Sequence, residues 1–169
     1  MSEIPFKLTH FNLFVDGKGF AGLIKEMTLP KITFKIEDHM SGGMDAPAPV
    51  EMGMEKLEAT FTLASYEPDV FRLLGFRAGG PIAIIARGSL KRDDEVIAMI
   101  VTMRGVIKEI DMGNWKKGED TQLQFSLHAQ YYRLDRGNEN LVEIDVKNLI
   151  RRFGGVDQLE EVRAALLLN

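Results

Sequence analysis

Apolar and polar residues alternate without an error in several stretches of the chain. Lys31-Ile32-Thr33-Phe34-Lys35-Ile36-Glu37 and Glu58-Ala59-Thr60-Phe61-Thr62-Leu63 both run with a period of two. In the longest example Gln122, Gln124, Ser126, His128 and Gln130 fall on one face, with Leu123, Phe125, Leu127, Ala129 and Tyr131 on the other. Neighbouring side chains point to opposite sides only in a β-strand. The pattern therefore predicts antiparallel sheet with one face buried and the other wet. Phe11 to Val15 adds a strand that ends at Asp16-Gly17-Lys18-Gly19, a hairpin turn headed by Asp-Gly, and Phe20 to Leu29 is expected to return along it. The apolar run Val96-Ile97-Ala98-Met99-Ile100-Val101 has the length of a buried strand.

Two segments depart from the period of two. Glu67 to Gly75 starts with Pro and acids, carries an apolar stripe and ends on Gly, which predicts a short helix. Val156 to Leu167 follows Gly154-Gly155, has acids early and apolar residues at 159, 162 and 166, and predicts an amphipathic C-terminal helix. The expected fold is mainly β: an antiparallel β-barrel or sandwich with these two helices, in a single domain over 1–169.

The segment from Asp38 to Gly53 has no periodicity and is far longer than the two to five residues, roughly, that a hairpin turn needs. Met40, Met44, Met52 and Met54 lie in or beside it, an apolar content that a solvated linker does not need. Such a loop is expected to press against another surface.

Composition narrows the function. A net charge of −4 disfavours a nucleic-acid binder held by a basic surface. With no cysteine, disulfides, thiolate catalysis and Cys-based zinc sites are excluded together. The N-terminal residues lack the basic start and apolar stretch of a signal peptide, so the chain is expected to stay in the cytoplasm unless an assembly carries it out. No apolar run is long enough for a membrane span. His10, His39 and His128 have no metal-ligand spacing and read as structural or surface residues. Paired acids such as Asp93-Asp94 and Glu160-Glu161 sit at turns or on a helix, where solvation and capping explain them. The lone Trp115 reads as a packing anchor, a contact residue being the other reading. No catalytic, cofactor or metal constellation emerges, and a non-enzymatic protein is expected. The polar positions Thr60, Thr62, Gln122, Gln124, Ser126, His128 and Gln130 are mostly small or uncharged, which suits a lumen as well as an ordinary solvated face.

Stretches spread in order along nearly the whole chain resemble the major tail tube proteins of contractile phage tails and R-type bacteriocins. They include Asn12-Leu13-Phe14-Val15-Asp16-Gly17, Gly42-Gly43-Met44-Asp45-Ala46-Pro47, Lys108-Glu109-Ile110-Asp111-Met112-Gly113-Asn114-Trp115-Lys116, Tyr131-Tyr132-Arg133-Leu134 and Gly155-Val156-Asp157-Gln158-Leu159. The resemblance implies subunits that close into hexameric rings, and rings that stack into a rigid tube, with the terminal helix on the outer side of the wall. It implies a sheath protein outside, a tape-measure protein and DNA as candidates for the lumen, and a baseplate and tail terminator at the tube ends. The place of work is a virion tail or bacteriocin particle assembled in the host cytoplasm. Gly42, Gly43, Met44, Asp45 and Pro47 become the expected inter-ring stacking residues within loop 38–53, and the polar positions above become candidates to face the lumen. A type VI-like secretion tube shares the implied fold. From a different class, an OB-like module binding single-stranded nucleic acid needs a basic groove interleaved with aromatics, which the polar face lacks.

Overall fold

The computed structural model describes residues 3–75 and 80–168, and within them the regular structure is mainly antiparallel strand. The long strands β7 (Ile82–Arg92), β8 (Glu95–Asp111) and β9 (Leu123–Arg136) pair in sequence order and form the spine. β1 (Lys7–Val15) pairs with the outer side of β7. The expected turn is present: Asp16 and Gly17 both take positive φ, and Val15 lies opposite Lys18. Two left-handed residues match the right-handed twist of the strands they join.

β9 changes partner part-way along. Its first half pairs with β6 (Leu57–Leu63), which in turn pairs with β3 (Ile24–Thr28). Its second half pairs with β10 (Glu139–Asp145), followed by β11 (Ile150–Phe153) and the two-residue β12 (Val156–Asp157). The switch occurs at a bulge. Arg104 lies opposite Tyr131 but the next residue, Gly105, lies opposite Ala129, leaving Gln130 as the extra residue. A bulge bends and twists a strand, and is how strands turn a corner between packed sheets. It also reverses the alternation. Tyr132 is buried and Tyr131 faces outward beneath Arg104, so the expected apolar row Leu123, Phe125, Leu127, Ala129, Tyr131 ends at Ala129.

The core is enclosed by strands of this one ten-stranded sheet. Leu57, Ala59, Phe61 and Leu63 of β6 meet Leu123, Phe125 and Leu127 of β9, with Leu13 and Val15 of β1 and Ile82, Ile84 and Ala86 of β7 in the same cluster. Phe61 and Phe125 stack with ring centroids 5.0 Å apart. The short helix α1 (Pro68–Phe71) is one turn long and sinks Val70 into this core, and Leu73 just beyond it is also buried. Gly75, in the left-handed region, donates its N–H to the Ile107 carbonyl and ends the helical run.

Several expected elements differ: α1 covers only Pro68–Phe71 of 67–75, the strand expected from Lys31 begins at Phe34, and of Val96 to Val101 in β8 only Val101 is buried. Phe20 to Leu29 does not return as one strand: after the two-residue β2 (Lys18–Gly19) the chain turns, with Gly22 at positive φ, and β3 joins β6 instead. The terminal helix α2 spans Glu160–Ala165 rather than 156–167, because Val156–Asp157 pairs with β11 first.

Candidate assembly surfaces

The segment 38–53 is not an irregular loop. Half of it, residues 38–39 and 48–53, belongs to a β-ribbon in which β4 (Phe34–His39) pairs with β5 (Ala48–Met54), separate from the main sheet. The alternation of residues 31–37 signals a strand, observed from Phe34, yet beyond Phe34 the body covers neither face: Ile36 is 57% exposed. Glu51 lies opposite Ile36 and Met54 opposite Phe34, so β5 carries an extra residue there, beside Gly53 at positive φ. That irregularity hides the period of two in β5. A lone two-stranded ribbon is marginal in water, so this arm needs partners at its root and along its length.

The root has them. Arg151 of β11 is buried, pairs with Glu51 at 2.6 Å and lies over the Phe34 ring at 5.0 Å. Phe34 also meets Phe153 edge-on at 6.2 Å, and Met54 packs against the core. A cavity of about 550 Å³ opens beside this root, lined by Met54, Leu57, Ile144, Ile150 and Leu159 among others. None of these contacts has a signal in the sequence, because the partners lie about a hundred residues apart.

Beyond the root the arm is bare. Met40 and Met52 are 61% and 53% exposed, and Val50 is exposed beside them. At the tip Gly42 and Gly43 form a turn closed by Met44 N–H donating to the Ser41 carbonyl at 3.1 Å, with Gly43 at φ +103°. Gly42, Gly43, Asp45 and Pro47 are exposed, and Met44 is half-buried. The five expected stacking residues therefore sit together on a projecting tip.

The candidate lumen residues also come together, with two exceptions. The register sets Thr60 opposite Ser126 and Thr62 opposite Gln124, with His128 opposite Glu58, all on the outer face of one sheet. Gln122 precedes β9 and is exposed, and Gln130 is the bulged residue at the corner. The face is less free of charge than the pattern of β6 and β9 implies. Glu109 and Asp111 of β8 lie opposite Ser126 and Gln124, and Glu26 of β3 lies opposite Thr62. Glu58 holds hydrogen bonds from Lys108 and Lys56, which draw its carboxyl below the usual carboxylate range. Around an uncharged centre the face is thus mainly acidic.

Trp115 is not a packing anchor. It is 83% exposed in the loop between β8 and β9, and its indole N–H donates to the Tyr66 hydroxyl at 2.8 Å. That hydroxyl donates in turn to the Met112 carbonyl at 2.5 Å. The C-terminal segment is tied down by a different pair: Arg163 of α2 donates to Asp157 and to the Leu149 carbonyl, both at 2.6 Å. Among the described residues no cluster of His, Asp or Glu could hold a metal ion, and no helix is long and apolar enough to cross a membrane.

The family model for phage tail tube protein FII matches residues 5–166. The chain belongs to the phage tail tube family. It is 40% identical over 166 residues to the tail tube protein of Escherichia phage P2, covering 95% of this chain and 96% of that one. It is 36% identical over 154 residues to the major tail tube protein of Serratia phage KSP20, covering 90% of each. The fold is shared more widely. A chain of the extended PVC sheath–tube complex, an extracellular contractile injection system, superposes with a TM-score of 0.60 at 11% identity, covering 79% of this chain and 93% of that one. The β-rich antiparallel architecture expected from alternation is therefore that of tail tube proteins, arm included within the matched span.

Proposed function

We propose that the chain is the repeating subunit of the inner tube of a contractile tail, six copies closing each ring and the rings stacking into a hollow rod. The observation that carries this is the family match over residues 5–166, with a curated tail tube relative covered almost end to end. Its role is geometric, a conduit and a rigid piercing element, with no catalytic step. The exposed arm supports a ring-to-ring contact through Gly42, Gly43, Met44, Asp45 and Pro47. Such contacts are heterologous, closed around the ring and open along the stack. They would also cover sheet edges that are otherwise an aggregation liability.

Thr60, Thr62, Gln124, Ser126 and His128 are proposed to line the lumen. Their mainly acidic surroundings support this, because a wall that repels phosphate does not hold back a passing nucleic acid. The same acids, and the absence of aromatic residues on the outer face of β6 and the first half of β9, argue against an OB-like single-stranded nucleic-acid module. A sheath protein outside, a tape-measure protein and DNA within, and a terminator and baseplate at the ends complete the proposed assembly in a virion tail. Electron microscopy of the purified protein tests the reading. Rings of six and stacked tubes are expected, and a monomer under every condition overturns it.

A further inference from the structure

We propose that the arm of one copy docks on the Trp115 loop of the next copy along the stack. The inference rests on the reading of the arm as the stacking element and names the surface that receives it. It starts from position. The arm joins the body immediately before Leu57, which lies opposite Ala129, whereas the Trp115 loop leads into Leu123, which lies opposite Leu63. The two features stand at opposite ends of the same strand pair, roughly 20 Å apart at the rise of an antiparallel strand. A copy displaced along those strands brings its arm toward its neighbour's loop, and its own loop toward the following arm. That is a head-to-tail contact that repeats without end.

The chemistry of the two surfaces is complementary. The arm exposes Ile36, Met40, Val50 and Met52, which have no cover in the subunit. The loop offers Trp115 and Met112, 83% and 51% exposed. Trp115 is held in one orientation through Tyr66, so little side-chain freedom remains to be lost on docking. An oriented, exposed Trp is the composition of an interface hot spot, and thioethers pack well against its ring.

Charge points the same way. Along the arm Glu37, Asp38 and Asp45 outnumber Lys35, and Glu51 is already taken by Arg151. Beside Trp115 stand Lys116, which pairs with Glu119 at 3.2 Å, and Lys117, which has no ion pair among the described residues. The acids nearby are Asp111, which ends β8 and accepts the Gly113 N–H, and Asp120 in the loop, so the cations that can meet the arm are the two lysines directly flanking Trp115 on its C-terminal side. Lys25, exposed on β3 near Leu63, adds a cation at the same end.

Trp115 is the one tryptophan of the chain, so its emission reports on this contact directly. On assembly of the full-length protein, followed in parallel by electron microscopy, the emission should move to shorter wavelength as tubes lengthen. Trp115→Ala and Lys117→Glu should each cut sedimentable tubes by at least about tenfold while the subunits unfold at the wild-type temperature. Asp38→Lys added to Lys117→Glu should restore them. Tubes at wild-type yield from Trp115→Ala, or unchanged emission while wild-type tubes form, would place the arm elsewhere and leave the tube reading intact. A wild-type protein that forms neither rings nor tubes removes both.

Discussion

Gly105 has no room for a side chain. A Cβ there would stand 2.0 Å from the His128 carbonyl oxygen, at the bulge in the pairing of β8 with β9. Backbone, not a flexible side-chain end, is the obstacle, so Gly105→Ala should cost about 3 kcal/mol or more of subunit stability. Gly42→Ala, with nothing within 4 Å of the added atom, should change stability by less than about 0.5 kcal/mol. Urea unfolding of the two variants checks the contrast. A second residue-scale prediction concerns Asp157. Hydrogen bonding from Arg163, aided by the Leu159 and Arg151 N–H groups, brings its carboxyl down from 3.8 to about 2. A depressed carboxylate stabilises the fold above its ordinary pKa, and the contribution fades as pH falls through the folded value. The wild type should therefore exceed Asp157→Asn by at most about 2 kcal/mol at neutral pH. That margin should shrink below pH 3.8 and be gone under about 2, as thermal unfolding across that range would show.

At the scale of elements, the arm separates what the sequence expresses from what it hides. The period of two in residues 31–37 finds β4 but not its bounds, Phe34–His39, because backbone geometry imposes the alternation without fixing where pairing starts. It says nothing about what covers the strand, so burial is misread at Ile36. β5 goes unrecognised because its extra residue breaks the alternation and because Pro47 and Pro49 read as loop. The bulge at Gln130 misleads in the same way: one inserted residue turns Tyr131 outward and Tyr132 inward with no change in composition. Arg151, which ties the arm down, is invisible for a different reason, since a contact across about a hundred residues leaves no local pattern. The turn at Gly42 and Gly43 falls inside the stretch that lacks periodicity, where the glycines signal it. Deleting residues 41–49 removes the tip and the first two residues of β5, Ala48 and Pro49, but neither Phe34 nor Met54, the pair at the root. Because no buried residue of the core lies in that span, the subunit should keep its unfolding temperature within a few degrees. It should form single rings but no stacks, and normal tubes by electron microscopy would sink the assignment.

Across the whole molecule, the fold carries two outer faces of different character, and a tube must turn one of them inward. The face of β10, the second half of β9 and β11 is bound up in ion pairs, Arg133 with Asp135 at 2.9 Å and with Glu143 at 3.6 Å, and Arg152 with Glu143 at 3.6 Å. The face of β6 and the first half of β9 centres on Thr60, Thr62 and Ser126, with acids around it. A charge-paired surface has donors and acceptors to exchange with a partner protein. A small-polar, mainly acidic one binds little and stays wetted, which suits a conduit wall. Because the chain contains no cysteine, single-cysteine variants decide between them cleanly. Ser126→Cys should react with both a small maleimide and a polymer-linked maleimide in dispersed subunits. In assembled tubes it should react only with the small reagent, which alone can diffuse along the bore. Arg152→Cys, on the other face, should not show that size dependence. If the polymer reagent reaches residue 126 in intact tubes as readily as in subunits, the wall is formed by the other face, and the acidic surround of Ser126 belongs to the exterior instead.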